Sequence, residues 1–476
     1  MDKSYNFEEY LNLEIDYLNI INSSLDAEKG SILCIDHQDS KKLDSFIQEA
    51  LDKDVNKVLT SKNSNIINKK VYKFEDYPKV FEDILKKIYP SFKDKNYFGI
   101  TGTNGKTTTG HYLNILLGES SVFVGTIEHD NLFSFTKEKH LTTPKLFNLI
   151  KMLSKINEEI ENVVLEVSSH ALSQKRLKGL SYKMSGFTNL SQDHLDYHGN
   201  MEEYFLAKTE LFSENISEQF CFVSSTYGNR LNKVFDNRGI SVDGESQIGV
   251  KLISNVNNRI TFSIEENNDI ENENKPHLLV ESDINISGPE SINNFLLAFS
   301  MAYFSKVRDL DVLKANIPRL YNPKGRYEVI NYHMGEVIVD YSHTPEAIEK
   351  VITYTKERFK KNVIVILGAG GNRDNSKRIH MGKASQSAEK IIITNDNPRN
   401  EDELQIAKQI LEGIDLKKNV EIILDRKEAI SKGINLLDGE STLLILGKGH
   451  EEYQEINGKF HKFNDAKIVE QIIGNT

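Results

Sequence analysis

The chain has 476 residues, 38% apolar and 27% charged, with 59 Lys plus Arg against 70 Asp plus Glu and a formal net charge of -11. An acidic average disfavours general nucleic-acid binding, and no apolar run approaches the roughly 18 residues of a membrane span. Cys34 and Cys221 alone make neither a disulfide framework nor a cysteine-rich zinc site. The length suggests about three domains, and the first residues lack the basic-then-apolar order of a secretory signal. We therefore expect a cytoplasmic monomer with no nucleic-acid and no membrane partner.

In chain order, residues 1–95 read as a small α/β domain. Strands are expected at Ser31–Ile35 and Lys57–Thr60, with an amphipathic segment, Leu43–Leu51, between them. A polar linker, Ser91–Asn96, precedes a change of texture. From Tyr97 the order is strand, Gly-rich turn, helix, followed by short apolar runs at Ser121–Val124, Asn162–Val167 and Met184–Thr188. This alternation predicts a helix-covered parallel sheet over 96–320. The Asn- and Glu-rich stretch Glu265–Lys275 reads as a solvated hairpin loop or insertion. Over 321–476, apolar runs at Val337–Val339, Val363–Leu367, Ile391–Thr394, Val420–Leu424 and Leu443–Leu446 mostly lead straight into polar or Gly-rich loops. Such loops at the carboxyl ends of parallel strands form the ligand crevice of a doubly wound sheet.

Four constellations bear chemistry. Gly102-Thr103-Asn104-Gly105-Lys106-Thr107-Thr108 supplies glycines for close backbone approach, a lysine point charge, a hydroxyl for Mg²⁺ and a helix start behind them, as a phosphate loop requires. The strict spacing is not met, since Ile100 occupies the first glycine position. Glu166, at a strand end downstream, suits the Mg²⁺ shell. Ser168 and His170 follow it without the G-x-S-x-G elbow of a serine hydrolase. Thr188–Gly199 packs two His, two Asp and an Asn into twelve residues, a density of ligand types that packing does not explain. Lys208, on a helix whose apolar side faces the same crevice, needs an anion or a modification to account for it. In the last third, Asp340–Pro345, Gly370–Asp374, Asp396–Arg399 and Gly447–Glu451 offer Arg for carboxylates and Asp or Glu for ammonium groups. Both signs together suit an amino acid.

Gly102–Thr108, Glu166–His170, Thr188–His198, Asp340–Pro345 and Gly447–Glu451 resemble the signature elements of the Mur ligases, from about residue 97 to the C-terminus. Asp396-Asn397-Pro398-Arg399 resembles the element of the branch that adds meso-2,6-diaminopimelate rather than lysine. The resemblance implies three α/β domains: a UDP-binding domain (1–95), a central P-loop ATPase-type domain (96–320) and a Rossmann-like amino-acid domain (321–476). It implies an ATP-dependent ligase acting on UDP-N-acetylmuramoyl-L-alanyl-D-glutamate, by way of an acyl phosphate, with ATP and Mg²⁺. Lys106, Glu166, His194 and Lys208 match catalytic positions. Thr107, Glu166, His194 and a carbamylated Lys208 match metal positions. Gly102 to Thr108, Asn294, Arg326 and Asp340 match ATP contacts. Thr142, Thr143, Ser168, Gln174 and Arg176 match contacts to the muramoyl peptide. Arg373, Asp396, Asn397, Pro398, Arg399, Gly447 and Glu451 match the diaminopimelate pocket. The chain departs from the family pattern at Leu141, at Glu290-Ser291, and in the first domain, which has no Asp-Ser-Arg element. A lysine-adding or folylpolyglutamate-type ligase, or a non-catalytic nucleotide-binding relative, are the rival readings. Closure of the third domain over the second is the expected motion, because the chemistry needs their loops within bonding reach.

Overall fold

The computed structural model describes residues 4–127, 135–137, 141–156, 159–244, 248–265, 278–415 and 417–474. Three sheets carry an α/β architecture, and the chain divides into two compact units. One comprises 1–97, 120–163 and 174–180; the other comprises 98–119, 164–173 and 181–476. Among the described residues no helix is long and apolar enough to cross a membrane.

The first unit holds a five-stranded parallel sheet in the order Ser4–Tyr5, Val71–Phe74, Lys57–Ser61, Ile32–Cys34, Ile20–Ile21. Helix Ser40–Asp52 starts where the Asp39 carboxylate accepts the Lys41 and Lys42 amides, an ordinary N-cap. Its Leu43, Ile47 and Ala50, spaced for one helical face, bury against Leu33 and Val58. The segment expected as a polar linker is structured instead. Pro90–Asp94 forms a 3₁₀ turn, Phe92 is buried, and the Tyr97 hydroxyl donates to the Phe92 carbonyl at 2.7 Å. Buried Tyr89, Phe92 and Tyr97 supply the apolar surface that the charged stretch lacks.

In the second unit, strand Asn96–Thr101 is flanked by Asn162–Glu166 and Tyr182–Phe187, and the sheet continues through Ser217–Val223 and Ile240–Val242. It ends in an antiparallel set, Gly249–Val256, Arg259–Glu265 and Leu278–Asp283. Residues 266–277, on which the reading of Glu265–Lys275 mostly falls, lie outside the described residues. The last sheet has the order Glu328–Tyr332, Gly335–Asp340, Ser441–Leu446, Asn362–Leu367, Lys390–Ile393, Asn419–Ile422, parallel except for the first pair. Alternation assigns its two faces. Ile338, Val363, Val365 and Leu367 pack under helices Pro345–Phe359, Lys377–Ala384 and Glu403–Leu411. Val337, Val339, Ile364 and Ile366 pack under Arg426–Asn435 and Asp465–Gly474. This is the expected doubly wound sheet.

Candidate active site

Strand Asn96–Thr101 delivers the chain into the loop, and helix Lys106–Leu117 leaves it. Gly102 (φ +148°) and Gly105 (φ +84°) are where the backbone must pass close to its neighbours. A Cβ on Gly102 would lie 1.9 Å from Thr188 Oγ1, and one on Gly105 would lie 2.4 Å from Asn294 Oδ1. The loop is braced by the Thr188–Gly199 segment. Thr188 Oγ1 donates to the Asn104 carbonyl at 2.6 Å, the Asn104 amide donates to Asn189 Oδ1 at 2.9 Å, and the Ser191 amide donates to Thr103 Oγ1 at 3.0 Å. The segment thus partly serves the phosphate loop rather than a ligand directly.

Lys106 folds back, its Nζ donating to the carbonyls of Gly102 (3.1 Å) and Thr103 (2.8 Å). Burial lowers its ammonium from the ordinary lysine range, against the pull of the Glu166 carboxylate. Thr107 and Glu166 are both buried, with Thr107 Oγ1 donating to Glu166 Oε2 at 3.0 Å. Lys208 sits on helix Met201–Thr209, 1% exposed, with Nζ donating to the Gly102 carbonyl at 2.8 Å and lying 4.5 Å from the Tyr204 ring centre. Burial first, then the neighbouring Lys106 charge, push Lys208 well below the lysine range. Both effects favour the neutral amine over the ammonium.

His194 adopts φ +54° and opens the short helix Leu195–His198. Its amide donates to Asp193 Oδ1 at 3.0 Å, and its ring packs edge-on to His170 at 4.9 Å between centres. Part of the ring reaches solvent, yet the surrounding protein pushes the imidazole down to about 3 through desolvation, and His170, Lys106 and Lys208 add to the effect. His194 is therefore neutral at pH 7. Ser169 Oγ lies 2.9 Å from His198 Nε2.

The phosphate loop and the last sheet meet inside the second unit. Arg326 Nη2 donates to Thr107 Oγ1 at 3.2 Å, and its guanidinium lies 4.3 Å from the Tyr341 ring centre. Asp193 faces His343 Nε2 at 3.6 Å and Lys377 Nζ at 3.5 Å. Burial works to raise the Asp193 carboxyl, but His343 and Lys377 hold it well below the carboxylate range. An open cleft of about 770 Å³ is lined by Asn104, Gly105, Thr108, Asn294, Arg326 and Asp340, among others. Glu290 and Ser291, the departures from the family pattern, line it as well. Asp340 also shapes its own loop, its carboxylate accepting from the Tyr327 amide (2.7 Å) and from the amide and hydroxyl of Ser342.

The strand-end loops of the last sheet come together. Asn397 Nδ2 donates to Glu451 Oε2 at 2.8 Å, and Asp396 Oδ2 would lie 2.6 Å from a Cβ on Gly447. Arg399 (φ +54°) donates through Nη1 to the Gly371 carbonyl at 2.7 Å and through Nε to Glu455 Oε2 at 3.2 Å. Arg373 is exposed on the neighbouring turn. That turn is pinned by buried Arg378, which donates to the Gly370 carbonyl and to Glu401. Beneath, the fully buried pair Arg426–Asp465 (2.7 Å) ties the carbonyls of Asn395 and Leu446, the residues just before Asp396 and Gly447.

In the first unit, Arg176 Nη1 donates to the Thr143 carbonyl at 3.0 Å and Arg176 Nε to Gln174 Oε1 at 2.9 Å. Thr142 Oγ1 accepts from Thr126 at 3.2 Å. Four of the five muramoyl-peptide positions thus belong to this unit, while Ser168 belongs to the other. Sequence reasoning left Asp193, His343, Lys377, Lys448, Glu455 and Arg426 without assigned roles. The first, second and fourth stood inside motifs already singled out; nothing local marked Glu455 or Arg426.

Residues 100–302 match the Mur ligase middle domain, and residues 325–449 match the Mur ligase, glutamate ligase domain. A UDP-N-acetylmuramoyl-L-alanyl-D-glutamate–2,6-diaminopimelate ligase from Aquifex aeolicus is 38% identical over 391 residues, covering 80% of this chain and 77% of that protein. A namesake from Clostridium acetobutylicum is 33% identical over 486 residues, covering 97% and 95%. The chain belongs to the Mur ligases. A solved structure of a ligase of the same name is 27% identical with a TM-score of 0.61, covering 99% of each chain. As a Mur ligase, the protein is an ATP-dependent, amide-forming enzyme, and the phosphate loop lies within the first matched domain, Asp340, Gly370–Asp374 and Asp396–Arg399 within the second.

Proposed function

We propose that the protein adds meso-2,6-diaminopimelate to UDP-N-acetylmuramoyl-L-alanyl-D-glutamate through an acyl phosphate, a step of peptidoglycan precursor synthesis. Residues 1–95 take the UDP end, 96–320 take ATP, and 321–476 take the diamino acid. The observation that carries this reading is the junction at Asp193. Asp193, on the segment that braces the phosphate loop, has its carboxylate 3.6 Å from His343 Nε2 and 3.5 Å from Lys377 Nζ, both from the part of the chain assigned to the amino acid.

The residues fit a hard divalent cation. Thr107 and Glu166 place two oxygen donors 3.0 Å apart in a buried setting beside the phosphate loop. Mg²⁺ takes few ligands from the protein and completes its shell with water and substrate phosphates. His194 and a carbamate on Lys208 are the further candidate ligands. When bound, Mg²⁺ offsets the negative charge of the phosphates.

Phosphoryl transfer to a carboxylate brings two anions together, so cations and backbone dipoles must compensate. Lys106, the N–H groups of Gly102–Thr108 and Arg326 supply that charge. ATP gives its γ-phosphoryl group to the acceptor carboxylate, forming an acyl phosphate and ADP. The amine of diaminopimelate then attacks the acyl carbon, phosphate leaves, and the nitrogen loses a proton to give the amide. Arg399 and Glu451 present a cation and an anion to the carboxylate and ammonium groups of the incoming amino acid. A cytoplasmic location accords with the use of ATP and a nucleotide-linked substrate.

A coupled phosphate-release assay with the UDP-muramoyl dipeptide tests this reading. Release that requires diaminopimelate is expected. ATP binding without such release refutes it. Lys106→Ala is expected to abolish turnover.

A further inference from the structure

Lys448 is a buried charge in the amino-acid sheet to which neither motif nor family resemblance gives a role. It lies between Gly447 (φ +109°) and Gly449 (φ +52°), two left-handed positions that let the chain turn back on itself after strand Ser441–Leu446. Its side chain is 0% exposed. A buried ammonium is costly unless its protons are matched, and here two partners fix it. Nζ donates to Glu451 Oε2 at 2.7 Å and to Asn397 Oδ1 at 3.1 Å.

The remaining bonds close the arrangement. Asn397 Nδ2 donates to the same Glu451 Oε2 at 2.8 Å, and the Glu455 amide donates to Asn397 Oδ1 at 2.9 Å. Glu451 Oε2 thus takes two donors from the protein, while Oε1 takes none among the described residues. A carboxylate held in this way presents one oxygen in a fixed direction. The Asn397 amide, matched by resemblance to a ligand contact, has its oxygen and one of its N–H groups spent on this triad.

We propose that Lys448 is a positioning residue of the amino-acid pocket, orienting Glu451 and Asn397 so that one carboxylate oxygen remains for an ammonium group of the diamino acid. The inference rests on the reading that these strand-end loops hold that substrate. A flexible glutamate must be ordered when the ligand binds, at an entropic cost; a glutamate fixed by Lys448 has met that cost on folding. Lys448 acts far from the phosphate loop in the order of events, on binding rather than on phosphoryl transfer. Its loss removes binding common to the ground and transition states, which raises KM and spares kcat.

The test uses the full-length enzyme and steady-state phosphate release, with diaminopimelate and ATP varied in turn. The wild-type protein must first show diaminopimelate-dependent release; its absence there defeats the functional reading rather than this inference. Lys448→Met keeps the volume and removes the charge. We expect its KM for diaminopimelate to rise roughly 10- to 100-fold, the scale of one charge-assisted hydrogen bond, with the KM for ATP within about twofold of wild type. In a background that carries both Glu451→Ala and Asn397→Ala, which removes the two acceptors of Nζ, the same change is expected to add less than about twofold, because its route of action is gone. Effects that multiply in the combined variant, or an unchanged KM for diaminopimelate in Lys448→Met, overturn the proposal. Should Lys448→Met not fold, Lys448→Arg decides. Its fork cannot reproduce both bonds, so a raised KM for diaminopimelate with an unaltered KM for ATP is expected, and unaltered values for both overturn it.

Discussion

Replacing Arg399 with alanine separates recognition of the substrate's far carboxylate from the rest of the reaction. Arg399 spends Nε on Glu455 and Nη1 on the Gly371 carbonyl, and Nη2 makes no hydrogen bond to the described residues. The guanidinium is thus held from two sides with donors left over. Diaminopimelate carries a carboxylate at its far end that lysine lacks, and a hydrogen bond between charged groups contributes about 1.5–3 kcal/mol net. At about 1.4 kcal/mol per factor of ten, that is roughly 10- to 150-fold in kcat/KM. The truncation also frees the Gly371 carbonyl and Glu455 and relaxes a residue at φ +54°, costs that fall on every amino acid alike. The informative quantity is therefore the ratio of kcat/KM for diaminopimelate to that for lysine, measured by phosphate release at saturating ATP and dipeptide. We expect the ratio to fall roughly 10- to 150-fold. An equal loss with both amino acids would refute the assignment of Arg399 to the distal carboxylate.

Lys208→Met is expected to cut turnover at least about 100-fold while leaving the unfolding transition near that of wild type, since the apolar stem stays buried; wild-type turnover in this variant would remove the carbamate reading. Gly447→Ala would place a Cβ 2.6 Å from Asp396 Oδ2 at φ +109°, so the KM for diaminopimelate should rise about tenfold with the KM for ATP unmoved, as steady-state kinetics would report. His111 is buried behind the phosphate loop, and desolvation lowers its imidazole from 6.5 to about 4. The unfolded chain therefore takes up this proton first, so the stability is present above pH 6.5 and is lost as pH falls towards 4. Denaturant unfolding at pH 7 and pH 4 should show His111→Phe gaining on wild type by about 3 kcal/mol between the two; parallel pH profiles would contradict this.

What the sequence disclosed and what it hid divide along a physical line. Glycines at 102 and 105, the lysine at 106 and the acid at 166 are residue types that phosphate chemistry demands at short spacing, so a local window reveals them. Lys208 is legible for a related reason: a lysine on the apolar side of a helix contradicts its surroundings. The alternating valines and isoleucines of the last sheet report their two faces for the same reason of local consistency. Partnership is another matter. Asp193 and Lys377 are separated by 184 positions, and nothing in either neighbourhood names the other. Glu455 belongs to a small hairpin, Tyr453–Ile456 with Lys459–Lys462, whose short mixed strands carry little hydrophobic signal, yet it clamps Arg399. Arg426 and Asp465 sit on two helices of ordinary polarity and become a buried bidentate pair only after the sheet forms. The elements that do chemistry are thus written as motifs, and the residues that aim them are written as contacts. A buried charge such as Lys448 belongs to the second class although it stands inside a motif of the first, because its neighbours in the chain give no hint that its head turns inward to Asn397, 51 positions away.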